Sequence, residues 1–150
     1  MTRLLLTISF CFSLFTLIAQ NGNQIRTEVY FATDKHELTK DSRTTLEELN
    51  KTLKQHPSFT IFVKGNTDAD GSNNYNQQLS EKRVNAVKSY LSKLGIPADA
   101  FNVVAVGEEE PIADNNSTNG KQKNRRVDII VNYGAFNSTT NTNSTTSTIH

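Results

Sequence analysis

Apolar residues along the middle of the chain follow two spacings that take turns. Val29 and Phe31 alternate with Glu28, Tyr30 and Ala32, the period of two expected of a strand with one covered face. Beyond Thr39, which suits a helix N-cap, Leu46, Leu49 and Leu53 recur on one helical side. Glu47, Glu48, Lys51 and Lys54 fall mostly outward, and Pro57 ends the run. Phe59, Ile61 and Val63 then alternate with Thr60, Phe62 and Lys64. Because Phe62 makes the second face partly apolar too, this strand is expected inside a sheet.

From Gly65 to Asn74 the glycines and short polar residues predict a loop. Helical spacing returns from about Gln77 to Leu94. Leu79, Val87, Tyr90, Leu91 and Leu94 share an apolar arc, with Val84 and Ala86 at its edges, and Gly95 and Pro97 terminate it. Phe101 to Val106 and Val127 to Tyr133 read as two more strands, separated by a polar segment containing Pro111 and Gly120. The order β-α-β-α-β-loop-β predicts an α/β two-layer sandwich, a mixed four-stranded sheet with helices on one face. It leaves the strand order open.

The ends differ in kind. Arg3 followed by the apolar run Leu4 to Ala19 predicts a signal peptide over residues 1–20, the run being shorter than the ~20 residues that span a bilayer. Residues 21–134 form the expected domain. Residues 135–150, almost wholly Asn, Ser and Thr, lack the apolar surface that offsets chain entropy and are expected to be disordered. Lys plus Arg number 16 against 15 Asp plus Glu, and Arg3 is the one charged residue of the leader, so the mature chain is formally neutral. That balance gives no broad field for nucleic acid, and the basic run Lys121, Lys123, Arg125, Arg126 lacks flanking aromatic platforms. The sole cysteine, Cys11, lies in the leader, so no disulfide or thiol chemistry is expected in the mature protein.

The candidate chemistry gathers in two places. Gly65-Asn66-Thr67-Asp68-Ala69-Asp70-Gly71 follows a strand and precedes a helix, where backbone N–H groups and side chains converge on ligands in α/β sheets. Arg83 falls within the apolar stripe beside Leu79, a costly position for an unpaired guanidinium. Asp68 could equally close an Asx-turn, and Arg83 could extend its guanidinium to the helix edge. Asp68, Asp70, Ser72 and Asn74 alternate as oxygen donors, but an EF-hand register would require glycine and glutamate where Asn73 and Leu79 stand, so no metal is expected. Glu108, Glu109 and Glu110 read as solvated turn charge. His36, His56 and His150 lie in unrelated segments with no hydrolase motif, so neither catalysis nor a cofactor is expected.

Taken in order, these motifs closely resemble the OmpA-like C-terminal domain family, a peptidoglycan-binding module. Phe31 and Leu38 match its opening signature, Gly65-Asn66-Thr67-Asp68 its glycine-histidine-threonine-aspartate loop, and Asn76, Leu79, Ser80 and Arg83 its helix signature. Pro111 and Asn124-Arg125-Arg126-Val127 complete the match, which runs from about Glu28 to Asn132. The resemblance implies a periplasmic, wall-associated protein that holds the stem peptide of peptidoglycan through meso-diaminopimelate. It implies that Asp68 meets the ammonium and Arg83 the carboxylate, with Asn76, Thr67, Asn66 and Arg126 as further ligand-binding residues. For Arg126 an end-of-strand salt bridge is the competing role. Asn66 in place of histidine keeps a donor and an acceptor but loses a protonatable ring, which raises the alternative of a structural or partner-binding component of an envelope complex.

Overall fold

The computed structural model describes residues 23–134. The expected signal peptide and the Asn/Ser/Thr-rich tail lie outside the described residues. The elements are β1 (Gln24–Tyr30), α1 (Lys40–Leu53), β2 (Phe59–Gly65), α2 (Asn73–Lys93), β3 (Phe101–Ala105), α3 (Thr118–Asn124) and β4 (Arg126–Tyr133), with one 3-10 turn at Ala98–Ala100. The strands form one mixed sheet in the order β1-β4-β2-β3. β4 lies between β1 and β2 and is antiparallel to both, whereas β2 and β3 are parallel. This is the two-layer α/β sandwich that the alternation of spacings predicts, with β2 inside the sheet.

The register explains the core. Val29 stands opposite Val127, Val63 opposite Ile129 and Ile61 opposite Val131, and all six side chains are buried. Leu46, Leu49 and Leu53 of α1 and Val84, Val87 and Leu91 of α2 close over them. Truncating one of these leucines to alanine costs about 2 to 5 kcal/mol, because the site collapses only partly around the missing atoms. The intervening residues of β4, Arg126, Asp128 and Ile130, therefore occupy the opposite face of the sheet, together with Phe62 and Lys64 of β2.

Besides shifts of one residue at the end of β3 and the start of β4, three features differ from the sequence reading. β1 begins at Gln24, four residues before the alternation becomes visible at Glu28. α2 begins at Asn73 instead of about Gln77, because Ser72 Oγ accepts from Tyr75 N and caps a polar first turn that carries no apolar signal. The polar segment before β4 contains α3, capped in the same way by Ser117 Oγ accepting from Gly120 N. Where β2 ends, a Cβ on Gly65 would stand 2.5 Å from Ser80 O and 2.6 Å from Val84 Cγ2, so glycine is what lets the strand meet α2. That contact sets the loop 66–71 directly against the first turns of the helix.

Candidate functional site

Asp68 sits at the C-terminal end of β2, in the loop fixed by Gly65. Neighbouring backbone is tied down by Thr67 N donating to Gly107 O at 2.8 Å, and Gly107 N in turn donates to Ser80 Oγ at 3.0 Å. Asp68 is only 4% exposed, and its Oδ2 accepts from Arg125 Nη1 at 2.7 Å. Its Oδ1 receives only a long bond, 3.4 Å, from Asp70 N. One carboxylate oxygen is thus held firmly and the other weakly.

Arg83 is fully buried on α2. Its Nε donates to Lys35 O at 2.9 Å, Nη1 to Asn66 O at 2.9 Å and Nη2 to Ala32 O at 3.3 Å. Its guanidinium carbon lies 5.1 Å from the centre of the Phe31 ring. Three of its five N–H donors are therefore committed to backbone carbonyls, joining the loop after β1 to the loop after β2. Burial pulls this guanidinium down to about 10, with Asp68 and Asp34 acting against the shift and Arg125 adding to it. It stays charged at neutral pH.

Two further polar groups belong to or lie against the same loop, Thr67 within it and Asn76 beside Gly71. Asn76, in the first turns of α2, is buried and donates through Nδ2 to Glu108, while its Oδ1 has no partner; Thr67 Oγ1 likewise has none. Buried polar atoms are nearly always satisfied, so leftover acceptor capacity beside a carboxylate marks a place suited to a donor-rich group. Tyr75 Oη donates to Asp34 Oδ1 at 3.3 Å, linking the exposed rim of α2 to the loop that Arg83 anchors.

Of the six candidate residues, the structure gathers Asp68, Arg83, Asn76 and Thr67 around one loop and sends the other two elsewhere. The Asn66 side chain turns to the opposite face of the sheet, where Nδ2 donates to Asp128 Oδ2 at 3.1 Å. Arg126 joins it there, with Nε donating to Asp128 Oδ1 at 2.7 Å and Nη2 to Asp128 Oδ2 at 3.1 Å. The end-of-strand salt bridge is the role its geometry fits. The reason is the pleat: Gly65 and Val127 face the helices, so Asn66 and Arg126 face away.

Arg125 is the residue that sequence reasoning missed. Besides Asp68, it donates through Nε to Phe31 O at 3.2 Å and through Nη2 to Gln122 of α3. The signal was available, since Arg125 shares the parity of Val127, Ile129 and Val131 and so belongs on the helix side. α3 adds a second tie to the loop, Lys121 Nζ to Asp70 Oδ1 at 2.7 Å, and Asn115 Oδ1 accepts from Ala69 N at 3.3 Å. Three consecutive loop residues are thus held by the segment 115–125. Among the described residues no group of three or more His, Cys, Asp or Glu side chains could hold a metal ion, and no helix is long and apolar enough to cross a membrane.

Comparison with known proteins places this arrangement among relatives. The model of the OmpA family matches residues 30–125. Outer membrane porin F of Pseudomonas aeruginosa is 38% identical over 109 residues, 72% of this chain and 31% of that protein. The peptidoglycan-associated lipoprotein of Buchnera aphidicola is 34% identical over 102 residues, 68% of this chain and 59% of that one, so the chain spans only part of either relative's length. The crystal structure of the peptidoglycan-associated lipoprotein from Burkholderia pseudomallei superposes with a TM-score of 0.66 at 34% identity, covering 69% of this chain and 88% of that chain. The periplasmic domain of Helicobacter pylori MotB, 21% identical, shares the fold with a TM-score of 0.64 over 77% of this chain and 80% of that chain.

Proposed function

This chain belongs to the OmpA family, and from that premise we propose that it binds peptidoglycan non-covalently in the periplasm and helps to anchor the cell envelope. The ligand is the stem peptide, held at its diaminopimelate residue by the cluster around Asp68. The observation that carries this reading is the unused hydrogen-bonding capacity of one loop: the weakly held Asp68 Oδ1, the unpartnered Thr67 hydroxyl next to it in the chain, and the unpartnered Asn76 Oδ1 against Gly71. An ammonium group offers three donors to such a place. The names of relatives described as peptidoglycan-associated support the same ligand class.

The roles divide as follows. Arg125 pins Asp68 Oδ2 and so turns Oδ1 toward the ligand ammonium. Arg83, with two donors beyond those given to Ala32, Lys35 and Asn66, meets the adjacent carboxylate, for which its planar fork is suited. Parting the exposed Tyr75–Asp34 hydrogen bond gives the ligand access to Arg83. Binding of one zwitterion by opposite charges needs no catalytic group, and the domain acts as a binding module.

Sedimentation with purified sacculi tests the proposal. The protein recovered from the periplasmic fraction should pellet with the wall polymer, and Asp68→Asn should remain in the supernatant with its fold intact by circular dichroism. Failure of the wild type to pellet, with an envelope protein co-purifying instead, overturns the reading in favour of a partner-binding component. Release of soluble wall fragments overturns it in favour of an enzyme.

A further inference from the structure

The two edges of the sheet are chemically unlike. β1, at one edge, carries Arg26 and Glu28, whereas β3, at the other, is Phe-Asn-Val-Val-Ala, with neither charge nor proline. Charged edges resist pairing with another strand, and uncharged ones invite it. The direction of the free backbone groups on β3 follows from one contact: Val106 N donates to Gly65 O of β2 at 3.0 Å. Residues alternate along a strand, so Asn102 and Val104 also turn toward β2, and Phe101, Val103 and Ala105 turn their N–H and C=O outward. Gln77 Nε2, reaching Ala105 O at 3.1 Å from α2, agrees with that parity and takes one lone pair of this carbonyl, leaving the other for a partner strand. Val103 is 46% exposed and borders a groove of about 390 Å³ shared with Gln77, Glu81, Val84 and Asn85 of α2.

We infer that β3 pairs with β3 of a second copy of this chain, antiparallel about a two-fold axis at Val103. The edge is complementary to itself in that arrangement. Val103 of each copy exchanges both backbone hydrogen bonds with its counterpart, and Phe101 of one copy faces Ala105 of the other. Charge agrees with the pairing. α2 runs antiparallel to β3, with Gln77 beside Ala105 and Lys88 Nζ 5.9 Å from the centre of the Phe101 ring. The two-fold axis reverses one helix against the other, so the Glu81 end of one α2 comes opposite the Lys88 end of the second, and this happens twice. The product is one sheet continuing through both copies, with the Asp68 loops at opposite ends, an arrangement that lets a single dimer hold two points on a polymer.

Sedimentation velocity on the protein from the periplasmic fraction, over about 1 to 100 µM, tests this. The wild type should pass from monomer to dimer with concentration. Val103→Lys, which puts a charge on the edge, should raise the dimer dissociation constant about 30-fold or more. Glu81→Lys should raise it about tenfold by setting like charges opposite each other, and Glu81→Lys with Lys88→Glu should bring it back near the wild-type value. Circular dichroism checks the fold of each variant; if Val103→Lys is misfolded, the charge-reversal pair on the helix surface decides alone. A wild type that stays monomeric throughout, a folded Val103→Lys that associates normally, or a double variant no better than Glu81→Lys overturns the inference.

Discussion

Arg125 and Arg126 are neighbours in the chain, yet one guanidinium reaches Asp68 at 2.7 Å on the helix side of the sheet and the other reaches Asp128 at 2.7 Å on the open side. On the open side the pairing is bidentate and both oxygens of Asp128 are engaged, Oδ2 accepting from Asn66 as well. The atoms left over there, Asn66 Oδ1 and Arg126 Nη1, are an acceptor and a donor, matched to each other and suited to a bridging water. On the helix side one oxygen of the carboxylate itself, Asp68 Oδ1, receives only the long bond from Asp70 N, and the Asn76 amide oxygen and the Thr67 hydroxyl have no partner. A buried arginine with its carboxylate is therefore weak evidence for a ligand site; what distinguishes the two clusters is that Asp128 is engaged through both oxygens whereas Asp68 keeps one weakly held.

The largest expected effect lies on the helix side. Arg83→Ala should lower stability by about 3 to 5 kcal/mol in chemical denaturation, since it strands three carbonyls in a buried place. An unchanged denaturation midpoint would show that Arg83 serves the ligand alone. Next comes the open side: Arg126→Ala should lower stability by about 2 to 4 kcal/mol by removing both guanidinium bonds to Asp128, which keeps only Asn66 Nδ2 at 3.1 Å and Lys64 Nζ at 3.7 Å, while stem-peptide affinity in the folded fraction stays within about twofold. A selective loss of affinity would move Arg126 into the ligand site.

Smaller effects sharpen the contrast. Asn66→His introduces the ring that the resembled loop motif carries, and because this side chain faces Asp128, calorimetric affinity should change by less than about twofold. A gain of tenfold would mean that the two clusters communicate. Least of all should be the exposed Lys64–Glu110 pair. Lys64 holds the Glu110 carboxyl below the usual carboxylate range. A lowered pKa in the folded state favours folding above the ordinary carboxylate pKa, and that contribution disappears as pH falls through the lowered value. Glu110→Gln should flatten the acid limb of the stability curve slightly and leave neutral stability nearly unchanged; a large change at pH 7 would contradict it.

Much of the fold was legible because the apolar spacing changes cleanly, as at Phe59, Ile61 and Val63 against Leu79, Val87 and Leu91. The missed first turn of α2 and the whole of α3 have the opposite cause: Ser72 and Ser117 start helices through their hydroxyls, and polar turns leave no periodic apolar trace. Within the site, motif order drew Asn66, Thr67, Asp68 and Arg126 into one set, while the pleat divides them. Parity counted from Val127 separates Arg125 from Arg126 without a structure. Neither spacing nor parity could show that Asp68 is already held by Arg125, because residues 57 positions apart meet only through the pairing of β4 with β2.

The most direct test titrates the diaminopimelate tripeptide into wild type, Asp68→Asn and Asp128→Asn by calorimetry, with thermal unfolding run on each. Both substitutions remove one carboxylate charge from an arginine pair, one on each side of the sheet. Asp68→Asn should raise the dissociation constant about 30-fold or more, whereas Asp128→Asn should bind within about twofold of wild type despite its lower stability. Undiminished binding by folded Asp68→Asn, or its loss in folded Asp128→Asn, would contradict the assignment of the ligand to the helix side.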